Sequence, residues 1–278
     1  ITVWNFDDAN NPLTADYGPS VLSYFDPEQT NWGPEETQYN TTQALGISDL
    51  SDASSGVMAF SRHAPTEGLL ITLNTPANGD YASEGMVSDY TLVMDLYWPE
   101  EGRDIYRAVM QANTLDYLTD DADMFIDPSG GYGKSTSDSG YFGDTQPQNW
   151  HRVAFVFYTA PSNGVFEVYI DGELAGVKED GEIDSTWALN SAVLLFTDNN
   201  FETEPGYLNA LLYAGRAMTR DEIKSMGNAQ SKLTFEPATR VLNQTIERHY
   251  QAAPEIKPNA WLEQRNKFFN SGTQAVNN

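Results

Sequence analysis

Short apolar runs separated by turn-forming residues recur along the first 215 positions of the chain. Each run is five to nine residues long, and Gly, Pro, Asn and Asp stand between the runs. They occupy 1–6, 56–60, 69–73, 90–98, 106–111, 123–128, 151–158, 165–171, 192–196 and 207–215. Runs of this length and spacing are typical of antiparallel strands. The pattern therefore predicts an all-β fold, a two-sheet antiparallel jelly-roll sandwich.

Two stretches of the first 215 residues refine this prediction. Between 149 and 176 an apolar run, a Pro-Ser-Asn-Gly turn and a second apolar run predict a hairpin, in which Val153, Phe155 and Phe157 face the core. By contrast, the stretch from about 12 to 55 is polar and aromatic and is expected to be a long loop region.

One short helix is predicted near 219–227, after the last strand. Thr219 stands three residues before Glu222, which is the spacing of a capping box, and Gly227 is a helix stop signal. This is the first helical pattern along the chain.

The chain changes character again at residue 231. Apolar residues at helical spacing follow on both sides of "PEIKP", and residues 231–278 hold six basic and four acidic residues, whereas residues 1–230 hold nine and 36. We therefore expect a sandwich domain over 1–228 and a partly helical appendage over 229–278. The charge difference predicts that the appendage docks on an acidic surface, either its own or that of a neighbouring copy.

The composition limits the classes of partner. A formal net charge of −25 over 278 residues argues against nucleic-acid or anionic-lipid binding, because both require a positive surface. No run of about 18 apolar residues is present for membrane insertion. There is no cysteine, and the chain starts with "ITVWNF". We expect an exported, extracellular protein whose signal peptide has been removed.

Three motifs resemble the laminin G-like, or concanavalin A-like, lectin and glucanase superfamily. Trp150 and His151 open one strand, and "YIDGELAG" over 169–176 matches the ending "Y-x-DG-x-x-x-G" of the next. "RAMTRDEI" over 216–223 resembles the closing signature of the family, and "VWNFDD" over 3–8 its first strand. The resemblance covers 1–227 and implies a jelly roll. It does not choose among lectins, adhesion modules, hydrolases and lyases.

The catalytic patterns of such enzymes are absent. Hydrolases of the superfamily carry an E-x-D-x-E strand and its lyases carry R-x-E-x-R and Q-(I/V)-H motifs, none of which occurs here. The acidic stretches 120–123 and 179–184 are expected to be solvated turns. Among the histidines, His151 is expected to be structural, and His63 is the one expected to line a loop cleft.

Calcium is the metal that the resemblance suggests, because members of the superfamily often carry Ca²⁺ at the rim of the sandwich. Carboxylate and amide oxygens are its usual ligands. Asp7 in "FDDANN", and Asp198, Asn200 and Glu202 in the loop 196–206, are the predicted ligands. Polar turns without a metal explain both stretches equally well.

Aromatic residues in loops are the predicted glycan-binding residues, because aromatic faces stack on sugars. Tyr24, Trp32 and Tyr39 lie in the loop 24–39, and Tyr132 and Tyr141 lie in the Gly-rich loop 130–144. The alternative is that these rings fold over the sheet edge and join the core.

Three functions follow from the sequence. The first is a non-catalytic extracellular binding or adhesion module for a glycan or an extracellular surface, braced by Ca²⁺. The second is a structural subunit of an extracellular or virion-like assembly, in which self-association uses residues 231–278. The third is a divergent polysaccharide hydrolase or lyase.

Overall fold

The protein is a β-sandwich. The computed structural model describes residues 1–51, 54–134, 140–159, 164–179 and 187–235, and these form two antiparallel sheets with two short α-helices and a 3₁₀ turn. The predicted all-β fold is therefore confirmed. None of the helices in the described ranges has the length and apolar composition needed to span a membrane.

The elements follow one another from β1 to α2. In chain order they are β1 Thr2–Trp4, β2 Val21–Phe25, β3 Thr37–Thr41, α1 Thr42–Leu45, β4 Gly56–Phe60, β5 Gly68–Thr72, a 3₁₀ turn Ala82–Glu84, β6 Tyr90–Tyr97, β7 Arg107–Gln111, β8 Met124–Ile126, β9 Tyr132–Gly133, β10 Tyr141–Phe142, β11 Trp150–Tyr158, β12 Val165–Ile170, β13 Glu173–Glu179, β14 Ala192–Leu195, β15 Gly206–Ala214 and α2 Arg220–Met226. The first sheet has the order β13-β12-β11-β6-β15-β4-β3, and β1 also pairs with β15. The second has the order β10-β9-β8-β7-β14-β5-β2.

All ten predicted strands are present, but the prediction of a long loop region over 12–55 is wrong. It contains β2, β3 and α1. β2 and β3 each lie at the end of a sheet, so they have one neighbouring strand, and most side chains of β2 are half-buried while most of those of β3 are exposed. Edge strands of this kind lack the apolar alternation on which the prediction depended.

The core lies between the two sheets and follows the alternation along the central strands. Leu92, Met94 and Leu96 of β6 belong to the main core cluster, and so do Phe155 and Phe157 of β11. Val153 lies in the same cluster, so the predicted inward face of the hairpin is confirmed. The Pro-Ser-Asn-Gly turn between β11 and β12 occupies residues 161–164, of which 161–163 are outside the described residues.

The Asp-Gly pair of the hairpin motif forms the turn between β12 and β13. Asp171 and Gly172 have φ angles of 53° and 84°, which two-residue hairpin turns require and which Gly adopts without steric cost. Gly176 is needed for close packing, since a Cβ there would lie 2.0 Å from the ring of Phe142. The spacing of the motif thus combines a tight turn with a close strand contact.

A buried ion pair lies on the outer face of the first sheet. Asp95 alternates with the core residues of β6, and both of its oxygens accept hydrogen bonds of 2.7 Å from Nε and Nη2 of Arg152. Asp95 is 0% exposed and Arg152 is 4% exposed. Arg152 also donates through Nη1 to the carbonyl oxygen of Met226, the last residue of α2. The pair therefore holds the helix on the sheet.

The helix α2 has the predicted boundaries and caps. Its N-cap is Thr219, the capping box with Glu222 is complete, and Gly227 ends it at φ 56°. Ile223 and Met226 are its buried residues. The predicted helix near 219–227 is confirmed.

The chain divides into two compact units, Ile1–Leu233 and Thr234–Asn278. Ala229 and Leu233 are buried within the first unit, and Leu233 N–H donates to Asn5 Oδ1 over 2.7 Å. Residues 236–278 are outside the described residues. The helical appendage, the boundary after residue 228 and self-association through 231–278 stay predictions.

Removal of Asp95 should destabilise the sandwich strongly, because it leaves the charge of Arg152 buried without its partner. We expect Asp95→Ala to lose about 3–5 kcal/mol of unfolding free energy, and the double variant Asp95→Leu with Arg152→Met to lose much less. Urea denaturation measures both. Lys224→Ala is the control, since its ion pair with Glu173 is exposed and should change stability by less than about 1 kcal/mol. A stable Asp95→Ala variant would contradict this role.

The capping box should make the stability of α2 depend on pH. Hydrogen bonds from the Arg216 guanidinium lower the pKa of Glu222 from 4.5 to about 2. A depressed carboxyl pKa contributes stability that is complete above the unfolded pKa and is lost as pH falls towards the folded pKa. Glu222→Gln should therefore lose about 1 kcal/mol at pH 7 and only a small part of that at pH 2, where about half of the Glu222 carboxyl groups are protonated. Denaturation of both proteins across this range tests the prediction, and a difference that is undiminished at pH 2 would contradict it.

Candidate functional site

A cluster of carboxylates forms between two loops on the second sheet. Oxygen atoms of Asp121, Asp198 and Glu202 all lie within 4.8 Å of one another. Asp121 is in the loop between β7 and β8, whereas Asp198 and Glu202 follow β14. The cluster thus joins segments that are far apart in sequence.

Backbone groups hold the cluster in place. Asp198 is 0% exposed, and its oxygens accept hydrogen bonds from the N–H groups of Ala122, Asn200 and Glu202 at 3.3, 2.9 and 3.2 Å. Ala108 N–H of β7 donates to the carbonyl oxygen of Glu202 over 2.7 Å. The loop after β14 is therefore fixed against both β7 and the β7–β8 loop.

The side-chain amide of Asn200 lies against two of the carboxylates. With its nitrogen turned inwards, the amide donates to Asp198 Oδ2 and Glu202 Oε2 at 2.8 and 3.2 Å. The opposite orientation places the amide oxygen beside the carboxylate oxygens, and such a set of oxygens is what Ca²⁺ coordinates. Rotation of the Asn200 side-chain amide thus converts a hydrogen-bonded cluster into a set of cation ligands.

The cluster carries unfavourable negative charge. Burial raises the pKa of Glu202, and the nearby Asp198 and Asp121 raise it further. A bound cation would remove this repulsion, since an opposite charge favours the ionised carboxylates.

An aromatic pair lies beside the cluster. The rings of Tyr106 and Tyr141 have centroids 5.7 Å apart at 52°, and Tyr106 also packs edge-on against Phe125. Tyr106 is 40% exposed. Tyr141 packs against the small cluster that contains Ala122, whose N–H donates to Asp198, so this ring lies close to the carboxylates. Burial raises the pKa of Tyr141.

Two buried oxygen atoms near this site have no hydrogen-bond partner within the described part of the chain. They are the hydroxyl oxygen of Tyr141 and the amide oxygen of Asn199, which neighbours Asp198 in the loop. Buried polar atoms are normally hydrogen-bonded, so at these two atoms the described residues leave hydrogen-bonding capacity unused.

The structure brings together three of the four predicted calcium ligands. Asp198, Asn200 and Glu202 converge, but Asp7 does not join them, which corrects the prediction. Asp7 instead forms a 2.9 Å ion pair with Lys232. Asp121 was missed, because the stretch 120–123 was expected to be a solvated turn and no spacing connects it with Asp198. The other acidic stretch, 179–184, lies outside the described residues except for the backbone of residue 179.

Two of the five predicted glycan-binding residues are too buried to stack on a sugar. Trp32 is 4% and Tyr132 is 0% exposed, and both rings lie in the core cluster, as the alternative interpretation of the loop aromatics expects. Tyr24 and Tyr39 are half-buried, pack against that cluster and share a 2.9 Å hydrogen bond between their hydroxyls. These two and Tyr141 stay predictions. Tyr106, the partner of Tyr141, was not predicted because it belongs to a run that was assigned to a strand.

His63 does not line a cleft, which corrects a further prediction. It is 6% exposed, its ring lies 4.8 Å from that of Trp32, and Nε2 and Nδ1 lie 2.6 and 2.9 Å from the carbonyl oxygens of Phe196 and Ser61. His151 contacts Asp171 through Nδ1 at 2.8 Å, beside the hairpin turn. Both histidines have structural surroundings.

The geometry suits coordination better than hydrolysis. Retaining glycosidases hold two carboxyl groups about 5–5.5 Å apart, a separation close to that within the cluster. Asp198, however, is buried and both of its oxygens accept backbone N–H groups, so it cannot reach a sugar. The same arrangement leaves carboxylate lone pairs for a cation.

Solved structures show the same fold. This chain is similar to the binding domain of botulinum neurotoxin serotype D, at 11% identity and a TM-score of 0.50, over 81% of this chain and 50% of that one. It is equally similar to the receptor-binding domain of a botulinum neurotoxin C/D mosaic serotype, at 9% identity, a TM-score of 0.50 and the same coverage. The chain spans about half the length of these two domains.

A smaller domain also matches. Domain 4 of AbnA, a GH43 extracellular arabinanase from Geobacillus stearothermophilus solved with arabinotriose, matches at 16% identity and a TM-score of 0.47, over 81% of this chain and 96% of that one. No family model and no curated protein matches the sequence. At these identities the comparisons establish the fold alone.

Proposed function

We propose that the protein is a non-catalytic extracellular binding module that holds a glycan on the Tyr106–Tyr141 pair. In this proposal Ca²⁺ is bound beside the pair by Asp121, Asp198 and Glu202. The observation that carries the proposal is the exposed ring of Tyr106 on Tyr141, which packs beside Ala122, the residue that follows Asp121 and donates its N–H to Asp198.

The aromatic pair has the properties of a sugar platform. A tyrosine ring offers an apolar face and a polar edge at a low cost in conformational entropy. Tyr141 and Phe125 hold the ring of Tyr106 from behind. Phe201, which is 52% exposed in the loop that carries Asp198 and Glu202, adds apolar surface to the same region.

The carboxylates supply the second element of the proposal. Three acidic side chains and the Asn200 amide provide oxygen ligands from two loops, and a divalent ion would join these loops. The same ion would fix the loop that carries Phe201. Calcium binding and glycan binding are thus expected to support one another.

The fold is compatible with binding. Sandwiches of this shape are binding domains in botulinum neurotoxins, although a fold does not determine a function. The resemblance to the laminin G-like superfamily allows binding modules as well as enzymes, and export from the cell is the location that the proposal requires. The assembly and enzyme hypotheses remain the alternatives.

Tyr106→Ala should weaken glycan binding by about tenfold, because it removes the exposed ring of the platform. A glycan array with the full chain identifies the sugar, and isothermal titration with that sugar compares the proteins. Tyr17→Ala is the matched control, since Tyr17 is 62% exposed and lies next to β1 on the first sheet. If no glycan binds to the full chain, the platform has no ligand and the assembly hypothesis takes its place.

Calcium should raise the melting temperature of the full chain. A ligand that binds only the folded state at 100 times its dissociation constant adds about 2.7 kcal/mol, and EDTA should remove this gain. Glu202→Gln and Asp121→Asn should each reduce it, since each removes a ligand charge. Asp7→Asn should retain it, because Asp7 pairs with Lys232. Identical melting curves in calcium and EDTA would rule out the metal site.

A further inference from the structure

A row of side chains crosses the first sheet near the ends of its strands. The register pairs Gln38 of β3 with Ala59 of β4, and Ala59 with Tyr207 of β15. Tyr207 pairs in turn with Tyr97 of β6, and Tyr97 pairs with Trp150 of β11. Directly paired residues point to the same face of a sheet. These five residues, which we call the aromatic row, therefore lie side by side across five strands.

The aromatic row points away from the core. Its neighbours along the strands include Leu96, Leu208 and Met58, which belong to the main core cluster, whereas none of the five residues of the row is part of that cluster. Successive residues of a strand alternate between the two faces of the sheet. The row therefore lies on the outer face, beside the ion pair of Asp95 and Arg152.

The three rings of the row form a continuous aromatic surface. The ring centroid of Tyr97 lies 5.4 Å from that of Trp150 and 5.4 Å from that of Tyr207. Tyr97 is 6% exposed, whereas Trp150 and Tyr207 are half-buried. The indole N–H of Trp150 donates to the carbonyl oxygen of Ser48 over 2.8 Å, so the loop after α1 fixes this side chain. Two partly exposed rings are thus held two strand spacings apart, roughly 10 Å.

The polar groups of the row are not used within the protein. The hydroxyls of Tyr97 and Tyr207 and the side-chain amide of Gln38 form no hydrogen bond with any residue in the described ranges. None of the five residues is charged, and the charges beside the aromatic half of the row, Asp95 and Arg152, neutralise one another. A sugar offers apolar ring faces together with hydroxyl groups. Aromatic rings with free amide and hydroxyl groups match this chemistry.

We propose that the aromatic row binds a neutral oligosaccharide of pyranose sugars and is a second glycan site of the protein. Sugar rings would stack on Trp150 and Tyr207, and Gln38 would bond to hydroxyl groups at the other end of the row. The row crosses five strands, a span of about 19 Å, which accommodates about four sugar units. Tyr141 belongs to the second sheet, so this inference does not depend on the proposed role of the Tyr106–Tyr141 pair.

The face of a sheet suits a glycan better than a peptide or a membrane. The interior strands β4, β15, β6 and β11 have neighbours on both sides, so an extended peptide lying on them would find their main-chain groups already paired. An anionic lipid surface is disfavoured by the net charge of −25. A sugar needs only the side chains of the row, because its hydroxyl groups supply the hydrogen bonds.

The first experiment titrates the full chain calorimetrically with β-1,4-linked gluco-, xylo- and manno-oligosaccharides. In the series that binds, the affinity should rise about tenfold from the disaccharide to the tetrasaccharide and little further to the hexasaccharide, because the row accommodates about four units. An oligosaccharide of equal length with carboxylates at C6 should bind more weakly, since the protein is acidic. Absence of binding in all three series, equal affinity for disaccharide and hexasaccharide, or a preference for the charged oligosaccharide would each overturn the proposal.

The second experiment uses variants of the row with the hexasaccharide. Trp150→Ala should weaken binding by at least about tenfold, and Gln38→Ala by about threefold. Trp150→Phe should retain most of the affinity, because it keeps an aromatic ring. Gln43→Ala is the matched control for Gln38→Ala, since Gln43 is an exposed glutamine of α1 outside the row. If Trp150→Ala does not fold, Tyr207→Ala tests the other half-buried ring, and unchanged affinity in that variant would overturn the proposal.

The Tyr106→Ala background separates the two glycan sites. It removes the exposed ring of the other site, so the hexasaccharide binding that remains should disappear when Trp150→Ala is added. If Tyr106→Ala alone abolishes binding and Trp150→Ala does not, the row is not a site and the proposed function stands. If Trp150→Ala alone abolishes binding, the row stands and the Tyr106–Tyr141 pair has no glycan. A lower molecular mass of Trp150→Ala in light scattering would make the row a contact between copies and overturn the proposal.

Discussion

The ion pair between Asp95 and Arg152 determines what can cover the outer face of the first sheet. Both charges are buried, and the pair also forms hydrogen bonds with the segment around α2. Arg152 donates to the carbonyl oxygen of Met226, and Gln230 donates its backbone N–H to Asp95. A buried charge that loses its hydrogen-bond partners is costly. The pair therefore fixes the position of the helix and of the segment after it on the sheet.

Other basic side chains of this acidic protein also hold segments of the chain together. Arg152 and Lys232 each contact carboxylates and thereby join distant parts of the chain, and Arg216 ties the end of β15 to α2. Arg107 differs from these three, since its guanidinium packs against the ring of Trp98 and donates to the carbonyl oxygen of Glu101.

Local patterns in the sequence predicted local structure well. Alternation placed the central strands and the inward face of β11, and the Thr219–Glu222 spacing placed α2, because each depends on residues a few positions apart. The edge strands β2 and β3 were missed because one free side weakens their apolar pattern. The site was predicted in part, since Asp198, Asn200 and Glu202 are neighbours, whereas Asp121 reaches them only through strand pairing. Burial of Trp32 and Tyr132 likewise depends on the packing of two sheets.

The hydrogen bond between Leu233 and Asn5 joins the two ends of the first compact unit. Lys232 strengthens this closure by placing its ammonium group 2.9 Å from Asp7 and 3.7 Å from Asp16. A polypeptide entering and leaving such a unit does so at one point on its surface. Because its two ends lie close together, the sandwich has a geometry that is compatible with insertion into a surface loop of another protein without disruption of that protein's fold.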